Sequence, residues 1–198
     1  MSERNLLSRF VRDDAASMTV EFVAVMPGFL LIVFLIMEVA LAFFWWKTAE
    51  KATQLGARVA IVSDPVTSAV PLTNALANGN VLYGTRCSAG GCVDFGTVSC
   101  TGTGCSNAAA FNRVIGRMKN ILSIIKPENV TISYKYISTG YAGGPTVPLV
   151  TVTLSNVPFN TGFISILGRL LGSGSALTKL PTISARITGE DLATSGAS

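Results

Sequence analysis

The chain has 198 residues, with 15 lysines and arginines against 11 aspartates and glutamates, which gives a net charge of +4 at pH 7. The basic residues are scattered, whereas phosphate-binding proteins gather them into a patch, so no nucleic-acid partner is indicated. Histidine is absent, which excludes Ser-His-Asp and Cys-His catalysis and every histidine-ligated metal site. The length and one strongly apolar run indicate a single anchored domain.

The apolar run extends from Val23 to Trp46 and contains one charged residue, Glu38. As an α-helix it would be about 36 Å long, enough to cross a hydrocarbon layer of ~30 Å with some tilt. Trp45 and Trp46, followed by Lys47, are typical of a helix that leaves the membrane, because amphipathic rings favour the headgroup region. The run therefore predicts a membrane-spanning helix. A buried core helix and a cleaved secretory signal are the alternatives, and the length of the run disfavours the signal.

Four cysteines lie in a stretch rich in glycine, serine and threonine, as two C-x4-C pairs: Cys87, Cys92, Cys100 and Cys105. Their even number and flexible surroundings predict two disulfides in an oxidising compartment. Zinc is the alternative, although zinc sites usually have a shorter spacing. Three pairings are open, and we favour Cys87–Cys92 with Cys100–Cys105 because short loops close easily. Paired cysteines would place the C-terminal domain outside the cell, since the flanking basic residues do not fix the orientation.

The elements follow in chain order. A charged leader, residues 1–16, precedes a helix over residues 17–62, whose end past the membrane carries an apolar stripe at helical spacing: Ala52, Leu55, Val59 and Val62. Residues 63–198 form the external domain, with a cysteine insert at about 85–106 that we expect to be loop-rich. A helix capped by Ser106 or Asn107 would stop at Pro127 and has one apolar face: Phe111, Val114, Ile115, Met118, Ile121, Leu122 and Ile125.

Three segments alternate between apolar and polar residues and are predicted strands: Val130–Tyr136, Val150–Leu154 and Leu180–Ile187. Phe163–Leu171 is predicted as a short helix or turn, and the tail from Glu190 as polar and mobile. The external domain therefore has the order α-β-β-α-β. The predicted fold class is α+β: a long N-terminal transmembrane helix, followed by an extracytoplasmic domain whose small antiparallel sheet packs on a helix.

Two carboxylates belong to the predicted span. Glu38 lies about 12 Å along the helix from Trp46, and burying its charge costs at least ~2.5 kcal/mol. Its helical neighbours include no cation, so it is expected to be protonated, to reach the interface, or to find a partner in another chain. Glu21 lies at the membrane edge, where solvation by headgroups is the simplest interpretation. Pro27 and Gly28 either permit a kink or are simply tolerated in a membrane helix.

The segment that begins at Ala15 and runs through Glu21, Phe22 and Pro27 to Glu38 resembles the TadE-like minor pilin (pseudopilin) family of tight-adherence pili. The C-terminal half is similar to that family as well, with a strand, the FISILGRLLG segment and the strand TISARIT. The cysteine insert is not part of the resemblance.

The resemblance implies a bacterial inner-membrane protein with a cytoplasmic N-terminus that also enters the pilus or assists its assembly. A prepilin peptidase would cut between Ala16 and Ser17, which leaves Glu21 as the fifth mature residue, although glycine is usual where this chain has Ala16. Glu21, Phe22, Pro27 and Glu38 would serve assembly. The implied partners are other pilins and minor pilins, the inner-membrane assembly platform, the prepilin peptidase and membrane lipid.

Two other functions are open at this stage. One is a pseudopilin of a type II secretion apparatus, and the other is an extracytoplasmic enzyme or binding protein that shares only the membrane anchor. A hydrolase without histidine would need a pair such as Ser-Lys, and the sequence offers no convincing pair or paired carboxylates. We therefore expect no catalytic residues, no metal and no cofactor.

Overall fold

The computed structural model describes residues 14–159, Gly162, residues 179–189 and Leu192. The fold class is α+β, as predicted: a long N-terminal apolar helix is followed by a four-stranded antiparallel sheet and a second helix. The chain divides into two compact units. The first contains the N-terminal helix up to Phe43 together with Gly162, and the second contains the other described residues from Phe44 onward.

The N-terminal helix, α1, extends from Asp14 to Ile61. Its first part consists of apolar residues that satisfy their backbone hydrogen bonds within the helix, as a membrane span requires. Pro27 lies inside α1 and does not end it. Two observations bear on the predicted kink. The helix is continuous on both sides of Pro27, and the space beside Gly28 is open, since an added Cβ would meet nothing within 4 Å.

The sheet of the second unit has four strands in the order β1-β2-β3-β4, and each neighbouring pair is antiparallel. The strands are β1 (Thr97–Thr101), β2 (Val130–Lys135), β3 (Leu149–Leu154) and β4 (Ile183–Thr188). The last three correspond to the predicted strands, with small shifts at their ends. The first was missed, because it lies in the cysteine insert and its sequence, TVSCT, has only one strongly apolar residue, Val98.

The second helix, α2, extends from Ala108 to Lys119. Asn107 caps it, because its Oδ1 accepts a hydrogen bond from the Ala110 N–H at 3.2 Å. The prediction that one helix continues to Ile125 is wrong. Turns follow Lys119, and they still bury Leu122 and Ile125 but leave Ile121 exposed.

Small residues make the contact between the last turns of α1 and the core of the second unit. Their buried stripe consists of Ala49, Ala52, Thr53, Ala57 and Ala60. The predicted stripe is therefore correct at Ala52 only. The buried face is rotated around the helix axis relative to the prediction, since Leu55 and Val59 are half-buried and Val62 is exposed. Gly56 explains the rotation, because Met118 of α2 packs so closely that a Cβ on Gly56 would lie 2.6 Å from the Met118 Sδ.

Two disulfides hold the insert, joining Cys87 to Cys92 and Cys100 to Cys105. This is the pairing that the short loops favoured. The first disulfide belongs to a small core of its own with Ala142, whereas Cys105 lies in the main core. The Asn74 side chain, in the segment that precedes the insert, donates hydrogen bonds to the carbonyls of Tyr141 and Pro145 in the loop between β2 and β3.

Two predictions concern the end of the chain. The predicted helix at Phe163–Leu171 lies outside the described residues. Of the tail from Glu190, only Leu192 is described, and it is buried in the main core with 5% of its surface exposed. A mobile tail is therefore wrong at that position.

Candidate functional site

The candidate site is the apolar first part of α1, up to Phe43. Within the described residues, one helix is long and apolar enough to cross a membrane, and it covers Met18–Ile61. The most apolar window of that helix is not buried inside the protein at all. Large side chains are exposed around its whole circumference, including Phe22 at 63% and Ile36 at 64%. Such a surface is incompatible with water and needs lipid or other apolar helices around it.

Glu21 lies near the start of this apolar surface, and its carboxylate is exposed. It makes no hydrogen bond or ion pair with another residue in the part of the chain that the structure describes. The adjacent Phe22 is exposed as well. Ala16 and Ser17 belong to the first turn of α1. Ala16, Ser17, Glu21 and Phe22 therefore lie within the first turns of α1, whereas Pro27 and Glu38 lie further along the same helix.

Glu38 differs from Glu21 because the chain itself covers it. Only 8% of Glu38 is exposed, although the residues on either side of it are exposed. Gly162 lies beside it, and a Cβ added to Gly162 would be 3.6 Å from the Glu38 Oε1. The cover of this carboxylate therefore comes at least in part from the same chain.

The predicted exit from the membrane has polar anchors. Lys47 Nζ lies 5.6 Å from the centre of the Trp46 ring and forms an ion pair with Glu50 at 2.9 Å. Phe44 and Trp45 pack edge to face, with their ring centres 6.1 Å apart. An exposed cation near an aromatic face is worth about 0.5–1 kcal/mol, and the arrangement suits a helix that passes from lipid to water.

The cysteines have a structural role in this arrangement. All four are disulfide-bonded, so none is a thiolate that could bind zinc. Among the residues that the structure describes, no group of three or more cysteine, aspartate or glutamate side chains is placed to hold a metal ion.

Sequence reasoning missed two features of the second unit. Gly56 was not singled out, although the small residues that recur every three or four positions from Ala49 to Ala60 indicate a close helix contact. A cleft that contains Arg58 and Arg186 was also missed. No local sequence pattern predicts that Arg58 and Arg186 lie close together, because the two residues are far apart in the chain.

The comparisons with known proteins support the predicted family. Residues 16–58 match the model of a family described as TadE-like protein. The resemblance is confirmed over this segment, which includes the predicted processing site, Glu21, Phe22, Pro27 and Glu38. No curated protein and no solved structure matches the chain significantly.

Proposed function

We propose that this chain, whose residues 16–58 carry the TadE-like segment, is a minor pilin or pilus assembly protein of a bacterial tight-adherence pilus. Its role is structural rather than catalytic. One observation carries the proposal: the family match coincides with an apolar helix whose large side chains are exposed on every side. Lipid covers this surface before assembly, and the helices of other pilins cover it during assembly.

The organisation we propose has three parts. Residues 1–16 are a cytoplasmic leader, residues 17–62 are the anchoring helix with its extension, and residues 63–198 are the extracytoplasmic domain. The two disulfides support this orientation, since disulfides form and persist in oxidising compartments. The protein would then be a single-pass protein of the bacterial inner membrane.

Glu21 supplies the assembly chemistry in this proposal. Cleavage between Ala16 and Ser17 by a prepilin peptidase would create a new amino group four residues before Glu21. Within a bundle of apolar helices, water no longer screens the carboxylate, so an opposite charge from a neighbouring subunit stabilises it strongly. The exposure of Glu21 leaves it accessible to such a group. The assembly platform would bring the subunits together.

We expect Glu21→Ala to insert into the membrane normally but to reduce piliation to less than about a tenth, because each 1.4 kcal/mol lost from assembly is a factor of ten. Piliation is counted by electron microscopy, and membrane insertion is measured by fractionation. N-terminal sequencing of the membrane form of the unchanged protein should begin at Ser17.

Glu128→Ala is the matched control, because Glu128 is an exposed carboxylate of the second unit, with its Oε1 3.9 Å from the Lys126 Nζ. That variant should form pili normally. Normal piliation of Glu21→Ala would contradict the assembly role of Glu21, and an intact Met1 or Ser2 in the membrane form would contradict cleavage.

A further inference from the structure

A cleft of about 580 Å³ lies between the last turns of α1 and strand β4. The α1 wall begins at Trp46 and is polar beyond it: Lys47, Glu50, Gln54 and Arg58 recur at spacings of three and four residues and so lie on one face of the helix. This face is distinct from the stripe of small residues that packs into the core. The opposite wall is formed by residues 182–187. A polar helix face that confronts a strand across open space has no evident role in folding.

The charges of the cleft are not balanced. Lys47 is paired with Glu50 at 2.9 Å, whereas the side chains of Arg58 and Arg186 make no hydrogen bond or ion pair with any described residue. The Arg58 backbone belongs to α1, and the Arg186 backbone pairs with Thr151 of β3. Both guanidinium groups belong to exposed residues that line the cleft. Arginine has five N–H donors in a planar arrangement that matches a carboxylate. The cleft is therefore complementary to an acidic ligand.

The strand wall adds a second type of contact. In the described part of the sheet, β4 pairs with β3 on one side and has no strand on the other. An edge strand presents unpaired N–H and C=O groups, which can pair with an extended peptide. The six residues from Thr182 to Ile187 line the cleft and offer an edge of about 20 Å at 3.3 Å per residue.

Membrane lipid fits this cleft poorly. Arg58 lies twelve residues after Trp46, which corresponds to about 18 Å along the helix. The headgroup region on each side of a bilayer is only about 5–8 Å thick. A lipid phosphate at the level of Trp46 could therefore reach Lys47 but not Arg58. An extended peptide can run along the whole length of the cleft.

We propose that this cleft binds an extended acidic segment of a neighbouring pilus subunit, which adds a strand to β4 and places carboxylates against Arg58 and Arg186. The inference rests on the proposed function for the source of the segment. Carboxylates two residues apart on a strand share one face, so an alternating acidic sequence is the pattern we expect. The contact would join the external domains, whereas Glu21 joins the helices.

Photo-crosslinking of the full chain in piliated cells tests the proposal. In one variant, a benzophenone amino acid replaces Gln54 in the cleft wall. In the control variant, it replaces Lys119, which is exposed at the end of α2 and lies outside the cleft. Mass spectrometry identifies the adducts. We expect the probe at position 54, but not at position 119, to capture an acidic segment of a pilus subunit. Arg58→Gln with Arg186→Gln should reduce this product about tenfold, since two exposed charge pairs together contribute up to that factor.

The matched control removes two arginines from α2, Arg113→Gln with Arg117→Gln, which are exposed and lie outside the cleft. It should leave the product unchanged. Lipid adducts alone, no subunit adduct at position 54, or a product that both double variants reduce equally would overturn the proposal. The two hypotheses fail in different ways. Normal piliation of the Glu21→Ala variant contradicts the assembly role of the helix. If that variant loses its pili but the unchanged protein gives no subunit adduct at position 54, only the proposal for the cleft is contradicted.

Discussion

The two units of this protein use the same kinds of apolar residue in opposite ways. In α1 up to Phe43, large side chains point outward, and Phe22 is 63% exposed. In the second unit, Phe111 is 3% exposed and Ile132 is fully buried. Composition alone does not distinguish the two cases, but periodicity does. Between Phe22 and Phe43, α1 has no continuous polar face, so its surroundings must be apolar, whereas the helices and strands of the second unit alternate between a core face and a water face.

The two units also differ in how backbone polar groups and loops are held. A single helix satisfies its own hydrogen bonds, so the membrane-facing part of α1 needs no other element to complete them. The second unit depends on pairing between distant segments, such as β1 with β2, and on two disulfides in its insert. Perturbations of packing and crosslinking should therefore damage the second unit and spare the first.

The sharpest test of this difference uses two glycines of the same helix. Gly56→Leu should lower the free energy of unfolding of the second unit by about 3 kcal/mol, because overpacking displaces Met118 from a well-packed core. Gly28→Leu should change it by less than about 0.5 kcal/mol, since nothing lies within 4 Å of that position. Urea unfolding of the full chain in detergent micelles, followed by near-ultraviolet circular dichroism, measures both.

Equal stability of Gly56→Leu and the unchanged protein would mean that α1 does not pack on α2 as the structure places them. A compensating change offers a further check. Adding Met118→Ala to Gly56→Leu should recover part of the lost stability, because it removes the side chain that the new leucine would displace.

The disulfides provide a second test. Cys100→Ala with Cys105→Ala should lower the unfolding free energy of the sheet by about 2 kcal/mol, the value that loop-closure entropy gives for so short a loop. Hydrogen exchange should quicken in β1, which contains Cys100. The pair Cys87→Ala with Cys92→Ala should instead quicken exchange in the small core around Ala142. Neither variant should change exchange in α1 before Phe43, and faster exchange there would contradict the prediction.

Most of the fold could be predicted from the sequence because local patterns determine it. The apolar run predicts the span, and the alternation of Val130, Ile132 and Tyr134 predicts β2. Asn107 was a foreseeable cap because its short side chain can accept a hydrogen bond from the first turn. In these cases, a few neighbouring residues carry the information.

The unpredicted features depend on contacts between segments that are distant in the chain. β1 is completed by its pairing with β2, and TVSCT has too few strongly apolar residues to show an alternation that predicts a strand. Glu38 has Gly162 beside it, a residue far away in the chain. The predicted cleavage site and the assembly role of Glu21 depend only on the family resemblance, since physical chemistry alone assigns Glu21 no more than a place at the membrane edge.

The smallest expected effect concerns one buried hydroxyl group of the second unit. Tyr134 is fully buried, and its hydroxyl oxygen accepts a hydrogen bond from the Val66 N–H at 3.2 Å. Tyr134→Phe should therefore lower the unfolding free energy at pH 7 by about 1 kcal/mol, because a buried N–H loses its acceptor. Tyr83→Phe is the control: Tyr83 is 78% exposed, and the change should have no measurable effect on the urea midpoint.

The same hydroxyl makes the stability of the second unit depend on pH. Burial raises the pKa of Tyr134 above its ordinary 10.0, and the hydrogen bond from Val66 opposes this only in part. Because the native pKa is the higher one, the contribution of Tyr134 is complete below pH 10 and is lost as the pH rises through the native value. Stability should therefore fall above pH 10 in the unchanged protein and in Tyr83→Phe, and less steeply in Tyr134→Phe. Identical slopes in all three proteins would show that the Tyr134 hydroxyl is not buried.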